Sequence, residues 1–118
     1  AAHDVGKAIN LLGVEGQIYG GVTQGIGYGV LEHYNIQSGV VKSENIDEYL
    51  LPTIKDIGTI EAIIVENPDV DGPFGAKSIG EPSLELGAAC IANAYTFASG
   101  KKPYEIPLTL EKAFLGKQ

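Results

Sequence analysis

The sequence has no methionine, even at position 1, and a single cysteine, Cys90. One thiol cannot close an internal disulfide, complete a multi-thiolate metal site or ligate an iron–sulfur cluster, so nothing requires an oxidising compartment. A cytoplasmic protein is expected. Basic residues are scarce: 8 Lys+Arg stand against 15 Asp+Glu, a formal charge of −7, and no basic block is longer than Lys101-Lys102. That balance argues against nucleic acid and anionic membrane surfaces as partners. Long apolar runs are missing as well. The charge-free stretch Gln17 to Leu31 is shorter than the roughly 20 residues a membrane span needs and carries polar Gln17, Thr23 and Gln24. Ala1-Ala2-His3-Asp4 has neither the basic nor the apolar part of a signal peptide, and with no Met the chain is expected to be a piece of a longer polypeptide.

What is present is one domain's length, 118 residues, with 44% hydrophobic content, enough for a core. From Val14 to Tyr34, Val14, Ile18, Val22, Ile26 and Val30 recur every fourth residue and predict a helix. Gly16, Gly20, Gly21, Gly25, Gly27 and Gly29 oppose it, each by about 1 kcal/mol relative to Ala. Such a helix is tolerable only if the missing side chains admit another backbone or a ligand. Asp4–Asn10 reads as a short edge strand entering a turn. The segment 35–57 reads as irregular structure with short strands around the Gln37-Ser38-Gly39 turn. Thr59–Val65 reads as a largely buried strand closed by Asn67-Pro68.

After a turn-rich loop from Pro68, a second helix is expected from Pro82, with Leu84, Ala88, Ile91, Tyr95 and Ala98 on one face, Gly100 as its stop and Lys101 and Lys102 at its negative end. A short third helix begins after Thr109 as N-cap. The fold class is therefore α+β, two main helices and a short C-terminal one packed on a few strands, as a single domain or subdomain over 1–118.

Most chemical motifs fail. Gly25-Ile26-Gly27-Tyr28-Gly29 lacks the dinucleotide spacing and sits within a helix, and there is no P-loop, H-E-x-x-H or G-x-S-x-G. His3 and His33 stand thirty residues apart without a ligand cluster, and no metal ligand is assigned. Cys90, among Ala88, Ala89 and Ile91, reads as a small buried hydrophobe. The loop Gly72-Pro73-Phe74-Gly75-Ala76-Lys77-Ser78-Ile79-Gly80-Glu81 differs, setting a cation, glycines and a carboxylate at the start of a helix, where free N–H groups can hold an anion. On physical grounds alone the plainer reading leads, with Glu81 a complement to the helix dipole and Lys77 a solvated charge.

A resemblance changes that weighting. Asp4-Val5-Gly6, Asn10, Val14-Glu15-Gly16-Gln17, Gly20-Gly21, Gln24-Gly25-Ile26-Gly27 and Glu32, then Tyr49-Leu50-Leu51-Pro52-Thr53 with Asp56, and above all Gly72 to Pro82, resemble the large-subunit pattern of the molybdenum hydroxylases, the xanthine dehydrogenase and aldehyde oxidase family. The similarity covers nearly the whole chain in the family's order, down to Pro107, Thr109 and Glu111. It implies a C-terminal portion of the molybdenum-binding subunit, within a larger molybdopterin-cofactor-binding domain. Glu81 would be the general base that deprotonates the hydroxyl attacking an electron-poor carbon of a purine, N-heterocycle or aldehyde. Gln24 would hydrogen-bond the cofactor, and Lys77, Ser78 and Gly80 would line it, chiefly through backbone N–H groups. For a base at a helix start, the dipole lowers the carboxyl pKa while a dry pocket raises it.

The partners implied are the rest of that subunit, iron–sulfur and FAD-bearing segments or subunits, and a small-molecule substrate. Two positions depart from the family pattern: Leu11 where Pro is usual, and Ser78 where Gly or Ala is usual. The alternative is a non-catalytic binding or assembly domain that keeps the fold, against which the intact loop around Glu81 weighs. Isolated, the chain is expected to be inactive and to self-associate through Val14, Ile18 and Val22, left uncovered by a lost partner surface.

Overall fold

A computed structural model describes residues 1–115. Its elements are β1 (Ala2–Asp4), α1 (Leu11–Val30), β2 (Ile36–Gln37), β3 (Val40–Val41), β4 (Ile63–Val65), a 3-10 turn (Pro73–Gly75), α2 (Pro82–Glu85), α3 (Gly87–Ser99) and α4 (Leu110–Leu115). Four helices together with two small strand pairs among the described residues make this an α+β structure. No helix of the described residues is long and apolar enough to cross a membrane.

β1 and β4 pair in parallel, His3 opposite Ile64, and β2 pairs with β3 antiparallel across the Ser38-Gly39 turn, where both residues have positive φ. The first strand is earlier and shorter than Asp4–Asn10, because the Asp4 carboxylate accepts the Gly6 N–H and turns the chain there, with Gly6 at φ 66°. β4 is likewise shorter than the strand expected over 59–65 and is not largely buried. It has one strand neighbour and one covered face, so Ile64 reaches the core while Ile63 and Val65 stay about half exposed.

α1 begins three residues before Val14, since the Asn10 side chain caps the Gly13 N–H and makes Leu11 helical, and it ends four residues before Tyr34. Val5, Val14 and Ile18 form the core, joined by Ala8, Val22, Ala62, Ile64 and Ile79. Val14 and Ile18 are thus covered within this chain, contrary to the expected uncovered stripe. The second helix is interrupted at Leu86, giving a four-residue α2 and a thirteen-residue α3. Gly100, at φ 72°, ends α3 as expected, and the Thr109 hydroxyl accepts the Lys112 N–H at the start of α4.

The glycines explain how α1 meets the other helices. A Cβ on Gly25 would lie 2.9 Å from the Gly87 Cα, and one on Gly87 would lie 2.6 Å from the Gly25 Cα, so the two backbones touch. Gly29 faces Ala88 and Ile91 in the same way. Elsewhere the surface is unusually apolar: Ile54, Val70, Phe74 and Phe97 are each at least 90% exposed. The radius of gyration is 17.1 Å, against roughly 13 Å for a compact domain of this length.

Candidate functional site

The loop from Gly72 is built in two halves. The first half is fastened. Gly72 and Pro73 carbonyls accept the Gly75 and Ala76 N–H groups, with Phe74 at φ 55° and Gly75 at φ 82° closing the turn. The Gly75 carbonyl accepts from Lys7 and Asp69, and the Lys77 N–H donates to Val5 at 3.0 Å. The Lys77 ammonium meets Asp4 at 2.6 Å. Lys77 holds the Asp4 carboxyl below its ordinary value, helped by the Gly6 N–H. On the same side, Glu66 accepts from the Ala8 N–H and then from Lys7, which lower its pKa in that order.

The second half is open. Ser78 and Gly80 are exposed, and among the described residues their N–H groups have no protein acceptor. Around a Cβ placed on Gly80 there is nothing within 4 Å, and Ile79 between them anchors the segment on the core. Glu81 follows as the N-cap residue of α2, exposed, with Pro82 in the first turn. Its carbonyl accepts the Leu84 N–H at 3.0 Å, but its carboxylate makes no cap hydrogen bond and no ion pair among the described residues. With only four residues, α2 provides little of the macrodipole that a single helix from Pro82 to Ser99 would have brought to this end.

The site residues expected from the sequence are therefore partly assembled. Ser78, Gly80 and Glu81 are consecutive on one open strip with unmatched donors and a free carboxylate. Lys77 donates its backbone N–H to Val5 and its ammonium to Asp4, so it secures the loop. Gln24 lies on an exposed face of α1, and no hydrogen bond joins it to the loop among the described residues. Between the loop and the first turns of α1, Val5, Asn10, Gln17, Lys77 and Ile79 line an open hollow of about 360 Å³.

Cys90 is exposed and not a core residue. It lines a mainly apolar hollow of about 350 Å³ with His3 of β1, Val22 and Ile26 of α1, and Ser83 and Ile91. Two contacts of the site region had no sequence signal of their own. The Tyr28 hydroxyl donates to the Leu84 carbonyl at 3.1 Å, and Ser83, 4% exposed, has a hydroxyl without a partner. The α1 glycines were the visible hint of close approach there, and a glycine at 87, inside an otherwise helical pattern, is their counterpart.

The chain can now be set beside known proteins. Residues 1–58 match the family model described as the molybdopterin cofactor-binding domain. A putative xanthine dehydrogenase molybdenum-binding subunit of Escherichia coli is 38% identical over 114 residues, 95% of this chain and 15% of that protein. An aldehyde oxidoreductase of Megalodesulfovibrio gigas is 37% identical over 110 residues, 92% of this chain and 12% of that protein. The crystal structure of the aldehyde oxidoreductase from Desulfovibrio desulfuricans superposes with a TM-score of 0.88 at 37% identity, over 99% of this chain and 13% of that one. The chain thus spans about one seventh of the length of the proteins it matches. Across almost all of its length the chain agrees in sequence and fold with a segment of the molybdenum-binding subunits of the xanthine dehydrogenase and aldehyde oxidase type of molybdenum hydroxylase.

Proposed function

We propose that residues 1–118 are a subdomain of the molybdenum-binding subunit of an oxidoreductase that hydroxylates an electron-poor carbon of a purine, N-heterocycle or aldehyde, with water as the oxygen source and Glu81 as general base. One observation carries this reading. Among the described residues, a carboxylate without a cap bond or ion pair stands just beyond the fastened half of the loop, on a strip where exposed Ser78 and Gly80 have N–H groups without acceptors. A structural carboxylate at a helix start would be engaged by the backbone it caps. This one is held in place and left unused.

The open strip fits a molybdopterin cofactor by its donor set. Ser78 and Gly80 offer backbone N–H groups suited to an oxygen-rich or anionic group, and the absence of a side chain at Gly80 leaves room for close approach. Gln24 is assigned to the same cofactor through its amide. When bound, the cofactor supplies the two-electron redox chemistry that no protein side chain provides. Glu81 accepts, at a carboxylate oxygen, the proton of the hydroxyl that attacks the substrate carbon. Lys77 and Asp4 keep the loop from moving as that proton transfers. Electrons leave through iron–sulfur and flavin groups on other segments or subunits, since a single thiol cannot ligate a cluster.

The exposed Ile54, Val70 and Phe97 and the extended shape support the subdomain reading: this much apolar surface suits burial against more polypeptide. The decisive experiment is Glu81→Gln in the complete subunit assembled with its redox partners. Retained molybdenum with turnover lowered by about 10²- to 10⁴-fold is the expected result. Unchanged turnover removes the assignment.

A further inference from the structure

We infer that Gly25, Tyr28 and Gly87 are positioning residues for Glu81, setting the Pro82–Glu85 turn on α1 by a backbone contact and a hydrogen bond that act beside the seating of Ser83 at Gly21; this rests on the reading of Glu81 as the base. Among the described residues, the Glu81 side chain makes no cap hydrogen bond. Nor can α2 place it, because four helical residues do not hold themselves in shape. The turn must take its position from what it touches, and what it touches is α1.

Three neighbouring contacts do this. Ser83 fills the notch at Gly21, where a Cβ would lie 2.1 Å from the Ser83 Oγ and 2.8 Å from its carbonyl carbon. Because that hydroxyl has no polar partner, shape fixes the contact. One residue on, the Leu84 carbonyl accepts the Tyr28 hydroxyl at 3.1 Å. At the break after Leu86, Gly87 lies on Gly25 with no side chain between the backbones. A Cβ on Gly25 would sit 2.9 Å from the Gly87 Cα and 3.2 Å from the Leu84 carbonyl oxygen, so the whole turn would have to move, carrying Glu81 with it.

The test is made in the complete subunit with its partners, by two variants and a non-catalytic readout. Tyr28→Phe removes the hydrogen bond and almost no volume. It is expected to lower kcat by about fivefold with KM unchanged, to displace the acid limb of the kcat profile, and to speed amide exchange over Ser83–Leu86. Gly25→Ala is expected to lower kcat on the order of 10²-fold with molybdenum content retained. Gly58→Ala, where an added Cβ meets nothing within 4 Å, serves as the control and leaves all three readouts alone.

Unaltered kcat and exchange in Tyr28→Phe and Gly25→Ala overturn the inference. So does a loss of kcat in Gly25→Ala that only follows a loss of molybdenum. If Glu81→Gln keeps turnover, the base reading fails by itself, while the exchange over Ser83–Leu86 still decides whether α1 positions the turn.

Discussion

Along α1, Gly21, Gly25 and Gly29 meet Ser83, Gly87 and Ala88, whereas a Cβ on Gly16 or Gly20 would meet nothing within 4 Å. The same residue type, in one helix, is required on one face and costs stability on the other. On the closed face the lost propensity is offset by backbone contact and by the core that Val14 and Ile18 reach. On the open face no such return exists within this chain. The difference teaches that a glycine-rich helix cannot be read as one unit: each glycine has to be asked what approaches it.

That comparison can be broken by substitution. Ile18 is fully buried at the centre of the closed face, and Ile18→Ala should cost about 3 kcal/mol, read from the urea midpoint of the 118-residue chain. A cost below about 1 kcal/mol would mean that this face is not the folding core. Gly25→Ala comes next, at about 2 kcal/mol, because overpacking against Gly87 outweighs the gain in helix propensity. Gly16→Ala and Gly20→Ala should go the other way, each stabilising the isolated chain by up to about 1 kcal/mol. In the assembled subunit that gain should vanish if further polypeptide or a ligand lies against this face. A gain that persists there would leave these two glycines without any contact to serve.

How much of this was legible follows the same division. Features decided by local chemistry were readable: the Ser38-Gly39 turn, the Gly100 stop with its positive φ, and Thr109 ahead of α4. Features decided by what lies opposite were not. Cys90 has apolar neighbours along its helix, yet it is exposed and lines a hollow with residues of β1 and α1 instead of packing in the core. The break at Leu86 was hidden because Leu84, Ala88 and Ile91 keep helical spacing through it, while the Gly25–Gly87 contact beside it joins residues 62 apart. For the site, the position of Glu81 before Pro82 was readable and its freedom from capping was not, since Glu81 adopts helical backbone angles where a capping residue is usually extended.

The smallest expected effect separates the fastened half of the loop from its open half. Asp4 is held below its ordinary value by the Lys77 ammonium and the Gly6 N–H, and as an exposed group its contribution is screened by solvent. A carboxyl whose folded pKa is depressed takes up its proton in the unfolded chain first. Its stabilisation is therefore complete above about pH 4 and is lost as the pH falls through the lower folded value. Asp4→Asn should flatten the acid side of the stability profile in that window and leave neutral stability only slightly lower. Amide exchange at Gly6, which donates to Asp4, should quicken, whereas Lys77, bonded to the Val5 carbonyl, should change less. If the acid limb keeps its full slope in Asp4→Asn, the loop is fastened by its backbone bonds alone. Glu66, with the Ala8 N–H and Lys7, would then be the carboxylate to remove next.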